Sequence, residues 1–178
     1  MPYLGNEESL VELPAIRYIK DRLGYEFIEG EKLSVINGER ESLSDVVLIN
    51  RLKKAFKRLN PWMDENSINK AVRYITNANI LGTSLLEINE EIYNSLVELN
   101  FAVEQDLDGN GKKKFHTVQF IDFENVENND FLVTRQFEVQ TLSGGKIIPD
   151  IVVFINGIPV VVIECKSPLL EKSGNENI

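Results

Sequence analysis

The residue pattern predicts an α/β fold, a mixed α+β sheet flanked by helices, and three features of the sequence carry that reading. Apolar residues recur at intervals of three and four in the stretches before Leu99, the spacing of helix faces that bury one side. From Phe101 onward the pattern changes to alternation and β-branched runs, the signature of strands. Asn156-Gly157 then separates two apolar runs, a strong hairpin signal.

Taken in order, "NEESLVELPAIRYIKDRLGYEF" spaces Leu10, Leu13, Ile16, Ile19 and Leu23 on one face and predicts a helix over 7–23, ended by Gly24. "YEFI" reads as a short strand and "EGEKLSVINGERES" as a polar connection. A helical lobe is expected over about 43–99. Its first helix runs from Leu43 to Leu59 and stops at Asn60-Pro61, its second begins near Asp64 and its third near Ser84. The segments "FAVEQ", "FHTVQFIDF", "FLVTRQFEVQ", "KIIPDIVVFI" and "PVVVIECK" are expected to build a sheet over about 101–167. The tail "SPLLEKSGNENI" turns polar with no closing element, and the expectation is that residues 1–178 form a domain whose fold continues beyond Ile178.

Composition narrows the function classes. With 178 residues and 43% hydrophobic content, the chain can bury the core of one domain. No segment approaches the roughly 20 apolar residues of a membrane span, and the first residues lack the regions of a secretion signal. The expectation is a cytoplasmic protein that does not engage a membrane. A lone cysteine, Cys165, and a lone histidine, His116, cannot form an intrachain disulfide or a Cys/His zinc site, so any metal would be hard and oxygen-bound. The net charge of -9 argues against holding nucleic acid chiefly by phosphate neutralisation over the whole surface. It does not oppose a local site, because carboxylates hold cations.

The chemistry is concentrated in "PDIVVFINGIPVVVIECK", where Asp150 stands at one end of a hydrophobic hairpin and Glu164 and Lys166 at the other. Charges beside a buried sheet are costly unless paired, hydrated or bound to metal. Register decides whether they meet. A two-residue loop would put Ile155 opposite Ile158 and Asp150 opposite Ile163, turning the carboxylates apart. A three-residue loop, Asn156-Gly157-Ile158, would put Ile155 opposite Pro159 and Asp150 opposite Glu164. In that second register Glu164 and Lys166 share a face and Cys165 points to the other. Two carboxylates and a lysine so gathered suit metal-assisted phosphodiester hydrolysis, with Mg²⁺ as the cofactor.

The same stretch, extended to "PDIVVFINGIPVVVIECKSP" and preceded by "FIDFENVENNDFLVTRQF" and "ILGTSLLEINEEIYNSL", resembles the N-terminal endonuclease domain of the R subunit of type I restriction-modification enzymes. The resemblance covers nearly the whole chain. It implies a restriction-endonuclease-like core of the PD-(D/E)xK superfamily carrying an inserted helical lobe, with Asp150, Glu164 and Lys166 as the motif. It further implies metal ligation by Asp150, Glu164 and the main-chain carbonyl of Cys165. A glutamate of the first helix joins such sites, and Glu12 is preferred over Glu8 because it directly precedes "LPA". The implied partners are double-stranded DNA and the methyltransferase and specificity subunits. ATP would enter only through motor domains, since no phosphate-loop motif occurs in this chain and it has no cofactor-binding residues of that kind. The Q-x-x-x-Y element common in related nucleases is also missing after Lys166. The alternatives are a stand-alone repair or junction nuclease of the same superfamily and a non-catalytic docking module of a restriction complex.

Other residues have plainer readings. Arg135 and Gln136, on a strand before Asp150, are candidates for reaching DNA or supporting the site. His116 reads as a strand-end residue, Cys165 as a packed thiol and Trp62 as a core anchor. "GKKKF" and "RLKKAFKRL" are basic clusters whose default role is a solvated face.

Overall fold

A computed structural model describes residues 7–36, 38–77, 84–141 and 143–166. A π-helical turn, Glu8–Glu12, leads into helix α1, Leu13–Leu23, which Gly24 closes in a left-handed conformation with its N–H on Lys20 and Ile19 carbonyls. Strand β1, Glu26–Glu29, follows, and then helices α2, Ile49–Leu59, α3, Glu65–Thr76, and α4, Leu85–Leu96. Asp64 caps α3 by accepting from the Ser67 N–H, and Ser84 and Glu87 form a reciprocal capping box on α4. The remaining strands are β2, Ala102–Gln105, β3, Lys114–Thr117, β4, Phe131–Arg135, β5, Val139–Gln140, β6, Lys146–Ile147, β7, Ile151–Ile155, and β8, Ile158–Ile163. The polar tail after Lys166 lies outside the described residues.

The central sheet is mixed, in the order β1-β4-β7-β8, with β1 parallel to β4 and the other pairs antiparallel. Helix α1 covers one face, where Ile16 packs with Val133, Ile151 and Val153. On the other face Leu132, Val152 and Phe154 meet Leu33, Leu48 and Phe137. A larger cluster joins Leu52 and Phe56 of α2, Ile68 and Val72 of α3, and Val103, Phe120 and Ile158. The helical segment therefore packs on the turn end of the β7–β8 hairpin and on β2–β3. No helix of the described residues is long and apolar enough to cross a membrane.

Three features depart from the pattern in the sequence. Residues 43–48 are not helical, because their backbone is engaged elsewhere: the Leu43 carbonyl accepts from Gln140 N–H at 2.9 Å and the Leu48 N–H donates to Gly157 at 2.8 Å. The strands after Phe101 do not share one sheet, since β2–β3 and β5–β6 form separate two-stranded ribbons and β1 joins the central sheet instead. "FHTVQFIDF" is a strand only as far as Thr117, beyond which Val118, Phe120 and Ile121 are buried as core plugs without a ladder.

Candidate active site

The turn of the β7–β8 hairpin has two residues, and Ile155 faces Ile158. Asn156 and Gly157 both have positive φ, 53° and 81°, as a type I′ turn demands. By that count alone the carboxylates would point apart, and the three-residue loop that would unite them does not form. The ladder corrects itself two residues later. Phe154 pairs with Pro159 but Val153 pairs with Val161, so Val160 is an inserted bulge residue, next to a proline that has no N–H to donate. Ile151 then faces Ile163, and carrying that register one residue further sets Asp150 opposite Glu164. The Cys165 N–H donates to Asp150 Oδ2 at 2.7 Å, which ties the two strand ends together.

Gln136 supplies the next layer. Strand β4 ends at Arg135, and Gln136 turns left-handed at φ 53°. Its backbone N–H donates to the Asp150 carbonyl at 2.9 Å. Its side-chain Nε2 lies between two carboxylates, 3.4 Å from Asp150 Oδ1 and 3.3 Å from Glu12 Oε2. Gly30 makes this bend possible, because a Cβ there would stand 2.3 Å from the Gln136 carbonyl oxygen and 2.5 Å from that of Arg135.

The two helix glutamates have different environments. Glu12 is buried, 5% exposed, and burial pushes its carboxyl above the ordinary glutamate value, against the opposing pull of Arg135 and Gln136. Asp150 and Glu8 add to the rise. Glu8 is half exposed and pairs with Arg135 at 2.5 Å. Arg135 also bonds Glu29 at 2.8 Å and approaches Glu12 at 3.4 Å. The hydrogen bonds it donates to Glu8 and then Glu29 hold its guanidinium well above its usual value, so it is a permanent cation at the edge of the site.

Glu164 and Lys166 are exposed and make no hydrogen bond or ion pair among the described residues. Cys165 packs with Ile163 against the α1 side of the sheet. Burial, then the charges of Asp150 and Glu12, push its thiol up, the reverse of what activates a thiol nucleophile. His116 lies on β3 opposite Val103, with its ring 5.2 Å from that of Trp62, and Trp62 packs on the large core cluster. Among the described residues neither touches the open end of the hairpin. The sequence placed Arg135 and Gln136 before the site but held no sign of Gly30, whose role depends on a chain crossing from β1.

The oxygen donors at this end of the hairpin are of the kind a hard divalent cation takes. Among the described residues Asp150 Oδ1 has only the long contact to Gln136 and Glu164 has none, so both have oxygens open to a ligand beside the Cys165 main chain. Among the described residues no three Asp, Glu, His or Cys side chains group as ligands. The set available is therefore two carboxylates and a main-chain carbonyl, with Glu12 one hydrogen-bonded side chain away.

Residues 5–178 match the family described as type I restriction enzyme R protein N terminus. This chain belongs to that family. Among curated relatives of these R-protein N termini, the type I restriction enzyme HindI endonuclease subunit of Haemophilus influenzae is 35% identical over 170 residues, covering 94% of this chain and 16% of the relative. A Methanocaldococcus jannaschii protein, provisionally named the type I restriction enzyme MjaIXP endonuclease subunit, is 40% identical over 165 residues, covering 92% of this chain and 15% of the relative. The R-protein N terminus described here thus spans less than a fifth of the length of either relative.

Proposed function

We propose that this domain is the DNA-cutting module of a type I restriction enzyme, hydrolysing phosphodiester bonds of double-stranded DNA with Mg²⁺. The observation that carries the reading is the bulge-restored register, which sets Asp150 opposite Glu164 at the open end of a hairpin otherwise rich in valine and isoleucine. The names of the relatives support it, since both are endonuclease subunits. ATP-driven translocation and the choice of site would come from parts of the assembly outside this chain, with the methyltransferase and specificity subunits as partners.

In this reading Asp150, Glu164 and the Cys165 carbonyl hold the ion. The ion, when bound, supplies a Lewis acid that acidifies water and offsets charge on the phosphoryl oxygens. Lys166, two residues from Glu164 and free in solvent, orients the attacking water and stabilises negative charge as it develops. Gln136 keeps Asp150 turned toward Cys165 and transmits the position of Glu12. Arg135 is held by Glu8, Glu12 and Glu29 and offsets part of their charge beside Asp150.

The test is cleavage of plasmid DNA by the intact protein with its partner subunits, ATP and Mg²⁺. Asp150→Ala and Lys166→Ala are each expected to lower cleavage at least about a hundredfold while ATP hydrolysis and assembly persist. Normal cleavage by both variants would refute the assignment.

A second reading, a docking module for the other subunits, draws on edge strand β8, where Val160, Val161 and Val162 are 38%, 46% and 57% exposed. It expects the Lys166→Ala enzyme to cut normally and a Val161→Lys/Val162→Lys enzyme to lose assembly.

A further inference from the structure

We propose that the lysine face of α2 is a second DNA contact, a cleft that binds backbone phosphates at the opposite end of the sheet from Asp150. The inference rests on the DNA reading above and adds a surface to it. A cleft of about 410 Å³ is lined by Gly38, Glu39, Asn50, Lys53, Lys54 and Lys57. Lys53 and Lys54 have no ion pair among the described residues. Lys57 reaches Glu65 at 3.5 Å, but both side chains are more than 60% exposed, and such a pair exchanges readily for another anion. The one carboxylate in the cleft, Glu39, lies 3.6 Å from Arg51 Nε and shares that guanidinium with Glu26 and Asp130, so the three lysines outnumber it in the cleft.

Position and local charge both favour phosphate. The two arginines of α2 are engaged within the protein: Arg51 holds Glu26 and Asp130, and the exposed Arg58 donates to the Asn128 carbonyl and Asn156 Oδ1. What remains without a buried partner are lysines, point charges able to meet phosphate oxygens. The Leu48 N–H, just before α2, bonds the Gly157 carbonyl at the hairpin turn, so the length of β7 separates the cleft from Asp150, roughly 20 Å at the rise of a strand. A duplex spanning that distance carries about a dozen phosphate charges. On a chain of net charge -9, a duplex reaching from the carboxylates to α2 needs cations away from the scissile bond.

The experiment measures binding of the intact protein to a short duplex without divalent ions, as a function of salt, together with acetylation footprinting of its lysines. The triple variant Lys53→Gln/Lys54→Gln/Lys57→Gln is expected to bind more weakly and to lose about two to three from the slope of log K against log salt. In the unmutated protein, DNA is expected to protect these lysines and leave Lys112 and Lys113 reactive, a readout that needs no variant to fold. An unchanged slope, protection confined to Lys112 and Lys113, or no protection at α2, as for a surface that meets an acidic protein, would overturn the proposal. The two readings fail separately. Cleavage with an unaltered slope in the triple variant leaves the nuclease and removes the cleft; an Asp150→Ala protein that cuts normally yet binds through these lysines does the reverse.

Discussion

At its turn, the β7–β8 hairpin buries Asn156 completely and engages both polar atoms of that side chain, while its open end leaves Glu164 and Lys166 in solvent without a partner among the described residues. Asn156 Oδ1 accepts from the Asp130 N–H at 2.8 Å and from Arg58 at 3.1 Å, and Nδ2 donates to the Phe120 carbonyl at 2.9 Å and to Asn129 at 2.8 Å. At the open end Asp150 has one short bond and one long one. A strand pair held this firmly at one end can present uncompensated charges at the other, because their repulsion acts on a frame it does not have to order. Unsatisfied polar groups inside the turn would unfold the protein; at the open end they remain available to a ligand.

The contrast yields ordered expectations. The largest effect on stability should come from the turn. Gly157→Ala would force a side chain into a left-handed backbone and put its Cβ 2.5 Å from the Leu48 carbonyl oxygen. Denaturant unfolding should show a loss of about 3 kcal/mol or more, and a loss under 1 kcal/mol would mean the turn can relax away from α2.

Gly30→Ala should act at the other end and on activity more than on folding. The added Cβ would meet two backbone carbonyls, so Gln136 must leave its left-handed bend and lose its position between Glu12 and Asp150. Cleavage is expected to fall about tenfold, with stability down by about 1–2 kcal/mol. Full activity with the same stability loss would remove Gln136 from any positioning role.

The smallest effect is a pH dependence at Glu12. Its folded-state pKa is raised, chiefly by burial, so the folded protein binds a proton more tightly there than the unfolded chain. The stabilising contribution is complete below the unfolded glutamate value and is lost as pH rises through the raised folded value. Glu12→Gln should flatten that segment of the stability curve, just above the ordinary glutamate range. Parallel curves for both proteins, by thermal unfolding across mildly acidic pH, would show that Arg135 and Gln136 fully compensate the burial.

Much of the fold was legible because local rules agreed with it. Asp64 and Ser84 begin α3 and α4 where capping chemistry says they should, and Gly24 ends α1. The helix expected from Leu43 begins only at Ile49, because the preceding backbone finds partners on Gln140 and Gly157, residues far away in sequence. At the candidate site, Asn156-Gly157 announced the hairpin, but its loop length and its register pointed to different answers. Nothing local marks Val160 as a bulge beyond the proline before it.

The sequence by itself determined the element types, the hairpin, and the collection of Asp150, Glu164 and Lys166 on two adjacent segments, since periodicity, caps and turn residues act over a few positions. Only the tertiary structure decided which strands share the central sheet, that β1 runs parallel to β4, and that Glu12 rather than Glu8 is the buried glutamate beside Gln136. Those outcomes follow from pairings between distant segments, whose energies depend on which backbone groups remain free once the core has closed.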